Sequence, residues 1–362
     1  MKKKQFTFLF LSLLILGYCS YAQDLKFKEE KKIPTTPVKN QLNTGTCWSF
    51  ATTSFIETEL LRLGKGTYDL SEMYFVRNAY EAKAERFMHL QGIANLSQGG
   101  QAHDVFNVVR NAGIVPEEAY KPLQSETETE NHNELEAFLN GGLKGIIGNK
   151  PRIISPAWEA GFNGILDAYM GKKPEQFTYN GKSYSPKSFA AELGINPDDY
   201  IELTSYSHHP YYRPFPLEVQ DNWSNDLYYN LPIKELIEVI NNAIDNGYSV
   251  CWDGDVSERE FLHQSGIATL TKPESLSFDD YRQSTFNNWS TTDDHLMHIV
   301  GKAIDKNGKA YYYTKNSWGS ESNKLGGFLY MSEDYLQVKT IAILVNKKSI
   351  PSSINEKLFG KQ

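Results

Sequence analysis

The 362-residue chain carries 37 basic and 44 acidic residues, a formal charge of −7, with 40% hydrophobic residues. That length exceeds one average domain, and that apolar content supplies a sizeable core and excludes a disordered chain. The acidic balance disfavours nucleic acid and anionic membranes as partners.

Residues 1–22 read as an export signal: Lys2, Lys3 and Lys4, then an apolar run over 6–16, then small residues at Ser20 and Ala22. Cleavage after Ala22 is expected, giving a periplasmic or extracellular protein that begins at Gln23. A lipid anchor through Cys19 is disfavoured, because Tyr18 precedes it where a small residue is wanted. Removing the segment deletes three lysines and no acid, which takes the charge from −7 to −10, and no transmembrane span remains. Cys47 and Cys251 stay behind; with Cys47 needed as a thiolate, no disulfide between them is expected.

Residues 33–120 read as a helical lobe. Ala51, Phe55, Ile56, Leu60 and Leu63 recur at helical spacing, with Gly64 as the stop, so Cys47 falls in a helix's first turn. Further helices open near Ser71 and run over 102–111. The polar, acidic stretch 124–132 reads as a solvated loop or a helix start. Residues 121–199 form a central insertion with a short helical pattern at 188–193 and a turn at Asn180 and Gly181 between strand-like runs.

Residues 200–350 read as a strand-rich lobe, with one helix following Pro232. Strands are expected at 250–253, 297–305, 309–316, 327–331 and 340–346. Asp305, Lys306, Asn307 and Gly308 form a hairpin turn between the second and third. That hairpin brings His295, just ahead of one strand, beside Asn316 at the end of its neighbour. The tail 351–362 is either an extended arm or a short helix over Ser352–Phe359 docked by Leu358 and Phe359.

A lone cysteine is more often an inert buried residue than a nucleophile. Cys47 differs through its helix-start position, where unpaired N–H groups and the helix dipole favour a thiolate, and through its neighbours. Thr44-Gly45-Thr46-Cys47-Trp48, with Gln41 ahead of it, His295 in Asp294-His295-Leu296, and Asn316-Ser317-Trp318-Gly319 stand in one order along the chain. These blocks resemble papain-like cysteine peptidases. Gln98-Gly99-Gly100-Gln101 and Trp252-Asp253-Gly254-Asp255-Val256 narrow the resemblance to the bleomycin hydrolase and aminopeptidase C branch.

The resemblance implies an α+β, two-lobed fold: a helical lobe, an antiparallel β-barrel-like lobe and a central insertion. It implies peptide substrates and no cofactor. Cys47 would be the nucleophile, His295 its ion partner and general acid, and Asn316 the orienter of the imidazole under Trp318. Gln41 would join the Cys47 N–H in an oxyanion hole. Gly99 and Gly100 would let an extended peptide pair closely with the backbone. Two departures matter: Thr44 stands where papain has a cysteine, and the tail lacks the family-like end, which leaves aminopeptidase and endopeptidase both open.

Other readings are weaker. A metal site from His295, His298, Asp293 and Asp294, with His208 and His209 added, fails because residues 295 and 298 of one strand face opposite ways. A cell-wall amidase would not need Gln41 and the Asn316 block. A catalytically silent binding protein would need a blocked cleft, and a homo-oligomer stays open.

Overall fold

The computed structural model describes residues 26–121, 131–150 and 153–360. The segment 1–22 expected to be an export signal, with Cys19, and most of the acidic stretch 124–132 lie outside the described residues.

In chain order, a short strand β1 (Lys28–Lys32) precedes three helices, α1 (Cys47–Arg62), α2 (Glu72–His89) and α3 (Ala102–Asn111). Helices α4 (Asn133–Gly148) and α5 (Ala157–Met170) follow, then the hairpin β2 (Phe177–Tyr179) and β3 (Lys182–Tyr184) and helix α6 (Pro186–Leu193). Next come β4 (Tyr200–Thr204), β5 (Pro214–Pro216), β6 (Leu227–Asn230) and α7 (Ile233–Asp245). Strands β7 (Val250–Gly254), β8 (Phe261–Leu262) and β9 (Ile267–Ala268) lead to α8 (Phe278–Asn287). The chain closes with β10 (His295–Ile304), β11 (Ala310–Lys315), β12 (Phe328–Ser332), α9 (Glu333–Lys339), β13 (Thr340–Asn346) and α10 (Ser352–Phe359).

Helices α1 to α6 share one apolar core, built on Phe55, Phe75 and Val105. The expected short helical pattern at 188–193 is α6, opened by the Ser185 cap and closed by Gly194 in the left-handed conformation. Two longer helices precede it. Leu135, Leu139 and Leu143 of α4 and Phe162, Leu166 and Met170 of α5 recur at four-residue spacing and are buried against the lobe. Their open faces carry glycines, which masked the pattern, since glycine is a poor helix former.

The second lobe corrects the β-barrel-like expectation. Its 11-stranded sheet is open, running β5-β6-β4-β13-β7-β10-β11-β12-β9-β8 with β1 added on β10. It is mixed rather than antiparallel, because β4 with β6 and β12 with β9 pair in parallel. The strands that settle closure and direction are two to four residues long, too short to leave a period in the sequence. Central β10 does match its expectation: it pairs antiparallel with β11, His298 opposite Lys315, and Asp305 and Gly308 close the turn. Helix α7 covers one face, burying Leu236, Val239 and Ile240 against Trp252, Ile299 and Ile343.

Helix α1 is the seam between the lobes. Ser54 Oγ lies 2.9 Å from His298 Nδ1 and accepts from Lys315 Nζ at 2.8 Å, and Thr52 Oγ1 lies 3.5 Å from Cys251 Sγ. These buried bonds fix the first half of α1 against the neighbouring strands β7, β10 and β11. No helix among the described residues is long and apolar enough to cross a membrane.

Candidate active site

Cys47 is the first residue of α1, and its side of the helix is buried. Thr46 precedes it without a side-chain cap, and the first turn holds no acid, so the positive helix end is left facing the thiol. The Leu296 backbone N–H reaches that thiol. Leu296 follows His295, the first residue of β10, so the thiol is held against the strand end that carries the imidazole.

His295 Nε2 lies 2.7 Å from Asn316 Oδ1, which also accepts the Ser317 N–H at 2.7 Å. Two donors thus fix the amide, and no hydrogen bond among the described residues occupies His295 Nδ1. Trp318 covers the pair, its ring 4.9 Å from the imidazole. His263, which lies in none of the sequence blocks, completes the support. Its Nδ1 stands 3.4 Å from Asn316 Nδ2, and its Nε2 2.9 Å from Ser322 Oγ. The amide nitrogen is thereby turned toward His263 and the oxygen toward His295.

Gln41 joins the same group. Its Oε1 accepts from Ser317 Oγ at 2.6 Å, its backbone N–H donates to the Ser317 carbonyl at 2.8 Å, and Nε2 donates to the Thr44 carbonyl at 2.7 Å. One Nε2 hydrogen is committed and the second remains for an oxyanion beside Cys47. Gly99 and Gly100 reach the site through Gln98, whose Oε1 accepts the Gly45 N–H at 2.8 Å and whose carbonyl accepts Trp48 Nε1 at 3.0 Å. A Cβ at Gly100 would stand 2.9 Å from the Trp48 ring, and one at Gly99 would overlap the Asp221 carboxylate. Each glycine answers a close approach by a side chain of this protein.

The electrostatics run against a preformed ion pair. Burial pushes the Cys47 thiol up to about 12; the Leu296 N–H works the other way, but Asp253, Asp293 and Asp221 add to the rise. Burial likewise holds the His295 imidazole down to about 4, with Asn316 opposing and His263 reinforcing the drop. The helix-start effect is therefore outweighed by burial, which favours the neutral thiol and the neutral imidazole. A neutral imidazole with its Nδ1 unoccupied can act as a base.

Cys251 is free and buried beside Thr52, a core residue. His298 is held by Ser54 on the far side of β10 from His295. Among the described residues, the groups placed to share a metal ion are His208, His209 and Glu218, and their imidazoles already bond the carboxylate at 3.2 and 2.6 Å.

Comparison with known proteins gives two family matches. The profile described as "Peptidase C1-like family" covers residues 166–361, and that described as "Papain family cysteine protease" covers residues 22–144. Aminopeptidase G of Lactobacillus delbrueckii subsp. lactis is 23% identical over 90% of this chain and 84% of its own length. Bleomycin hydrolase of Gallus gallus is 24% identical over 88% of this chain and 82% of its own. The crystal structure of pepw from Lactobacillus rhamnosis superposes with a TM-score of 0.74 at 19% identity, covering 91% of this chain and 84% of that one.

Proposed function

From a chain that belongs to the peptidase C1-like family of papain-like cysteine peptidases, we propose an exported aminopeptidase that cleaves peptide bonds through an acyl-enzyme on Cys47. The observation that carries this reading is the 2.7 Å bond from His295 Nε2 to Asn316 Oδ1, beside the thiol and under Trp318. It leaves Nδ1 as the nitrogen for the thiol and fixes the ring's plane.

In this reading His295 Nδ1 accepts the Cys47 proton as the sulfur attacks the substrate carbonyl. The oxyanion that forms takes hydrogen bonds from the Cys47 N–H and the free Gln41 Nε2 hydrogen. Each such donor is typically worth about 2.7–4 kcal/mol in the transition state. The imidazolium then protonates the leaving amine as the C–N bond breaks. Water, deprotonated by the same imidazole, splits the thioester and restores the thiol.

Cys47→Ala is expected to abolish hydrolysis of an aminoacyl reporter with its melting temperature kept. Asn316→Ala should retain a residue of activity, since nucleophile and base remain. Wild-type turnover by Cys47→Ala sinks the reading. Export is supported by the charge and apolar pattern of residues 1–22 alone. An intact mass beginning at Gln23 is the expected result, and a retained Met1 overturns it.

An endopeptidase is the second reading, favoured by the seat of α10. Phe359 packs on Tyr229 of β6 at 5.3 Å and Lys357 pairs with Glu235 of α7 at 2.7 Å. Strand β6 is four places from β10, roughly 19 Å at about 4.8 Å per spacing. That seat does not fill the cleft, and equal cleavage of free and N-acetylated reporters would establish this second reading.

A further inference from the structure

Three carboxylates from separate segments converge beside Cys47. Asp221, in the loop between β5 and β6, presses on Gly99, and its Oδ1 accepts from Asn95 Nδ2 at 2.9 Å. Asp293, two residues ahead of His295, accepts from Gln101 Nε2 at 2.7 Å. Asp253, near the end of β7, is 3% exposed, and neither of its oxygens has a hydrogen-bond donor. The strand register seats Asp253 opposite Leu296, the residue whose N–H reaches the thiol. A cavity of about 800 Å³ opens onto Asp221 and Asp293 from the solvent side, with Phe286 and Trp289 on its other wall.

Such a group is deficient in cations. Among the described residues none of the three carboxylates has an ion-pair partner, and the neighbouring Lys83 spends its ammonium on the Ser97 and Gly99 carbonyls. A buried carboxylate without a partner is costly, so the group takes up either protons or a cation. Without substrate it takes protons: burial and the neighbouring acids push Asp293 up to about 7 and Asp253 well above the usual carboxylate range.

We propose that Asp221, Asp253 and Asp293 together receive the free α-ammonium of the peptide substrate, so that the walls of the cleft themselves define an N-terminal exopeptidase. This rests on the peptidase reading of Cys47 and His295. The substrates are peptides with an unblocked N-terminus, cleaved after the residue that bears the ammonium. The ammonium replaces a proton taken up by these buried acids, which leaves to solvent. Its positive charge also offsets the acids that hold the thiol protonated, so the cleft is set for attack when a free N-terminus is present.

The test compares kcat/KM for alanyl-coumarinamide, its N-acetylated form and acetyl-arginyl-alanyl-coumarinamide, in wild type, Asp293→Asn and Asp221→Asn. Wild type should favour the free amine by about 100-fold or more, the scale on which a buried charge pair discriminates. Each variant should lose that preference through the free-amine substrate, while the acetylated substrate is cleaved no more slowly. A thiol-reactive peptidyl probe run in parallel on wild type and Cys47→Ala separates the two levels. Labelling of Cys47 with equal cleavage of free and acetylated substrates overturns the ammonium receptor and leaves the peptidase. Faster cleavage of the acetyl-arginyl substrate assigns the acids to a side-chain cation and overturns the α-amine assignment. Neither labelling nor cleavage overturns both. The wild-type comparison decides the matter even where an Asn variant fails to fold.

Discussion

Asp293 shows how one buried acid couples stability to pH. Its carboxyl is raised to about 7 in the fold, against an ordinary value near 3.8. Well below pH 3.8 it is protonated in both folded and unfolded chains and contributes nothing. As pH rises toward 7 the unfolded chain releases its proton first, and the fold pays progressively for keeping or ionising a buried acid. Asp293→Asn is therefore expected to raise the melting temperature at pH 8 and to leave it unchanged near pH 3. A gain of equal size at both values would show that ionisation is not the cause. The residues of the candidate catalytic group could be singled out in the sequence because each lies in a short local block: Cys47 at a helix start, His295 at a strand start, Asn316 after a hairpin strand. His263 and Asp221 could not, because each acts through neighbours more than 50 residues away in the chain, and one sequence contains no sign of such contacts.

At the scale of elements, the strongly periodic pieces were readable and the glycine-bearing ones were not. The amphipathic stripe of α7 and the hairpin of β10 and β11 speak through their own residues. Helices α4 and α5 exist because Leu139, Leu143, Phe162 and Leu166 find a core, which overrides poor local propensity. A Cβ at Gly141, Gly145 or Gly161 would meet nothing within 4 Å. Replacing these by alanine should therefore stabilise the protein by about 0.5–1 kcal/mol per site, through a less disordered unfolded chain. Urea midpoints measure this, and a fall in the midpoint would mean that these helix faces are covered in solution.

At the scale of the molecule, the order of the open sheet separates the two ways of reading a substrate's N-terminus. A ruler made from the C-terminal segment would have to come from α10, which is seated on β6 and α7 with Ile354 and Leu358 in the apolar core of the sheet lobe. A ruler made from Asp221, Asp253 and Asp293 is built into the cleft, where loop, β7 and the approach to β10 meet. A chain ending at Ser349 distinguishes them. It loses the buried Ile354 and so should melt lower, the removal of one such aliphatic side chain alone costing about 2–5 kcal/mol. Below that melting point its ratio of free-amine to N-acetyl cleavage should match the full chain, because none of the described residues removed touches the three acids. Collapse of the ratio, with N-acetylated reporters now cleaved as fast as free ones, would transfer the ruler to the C-terminal segment and require α10 to leave its seat during turnover.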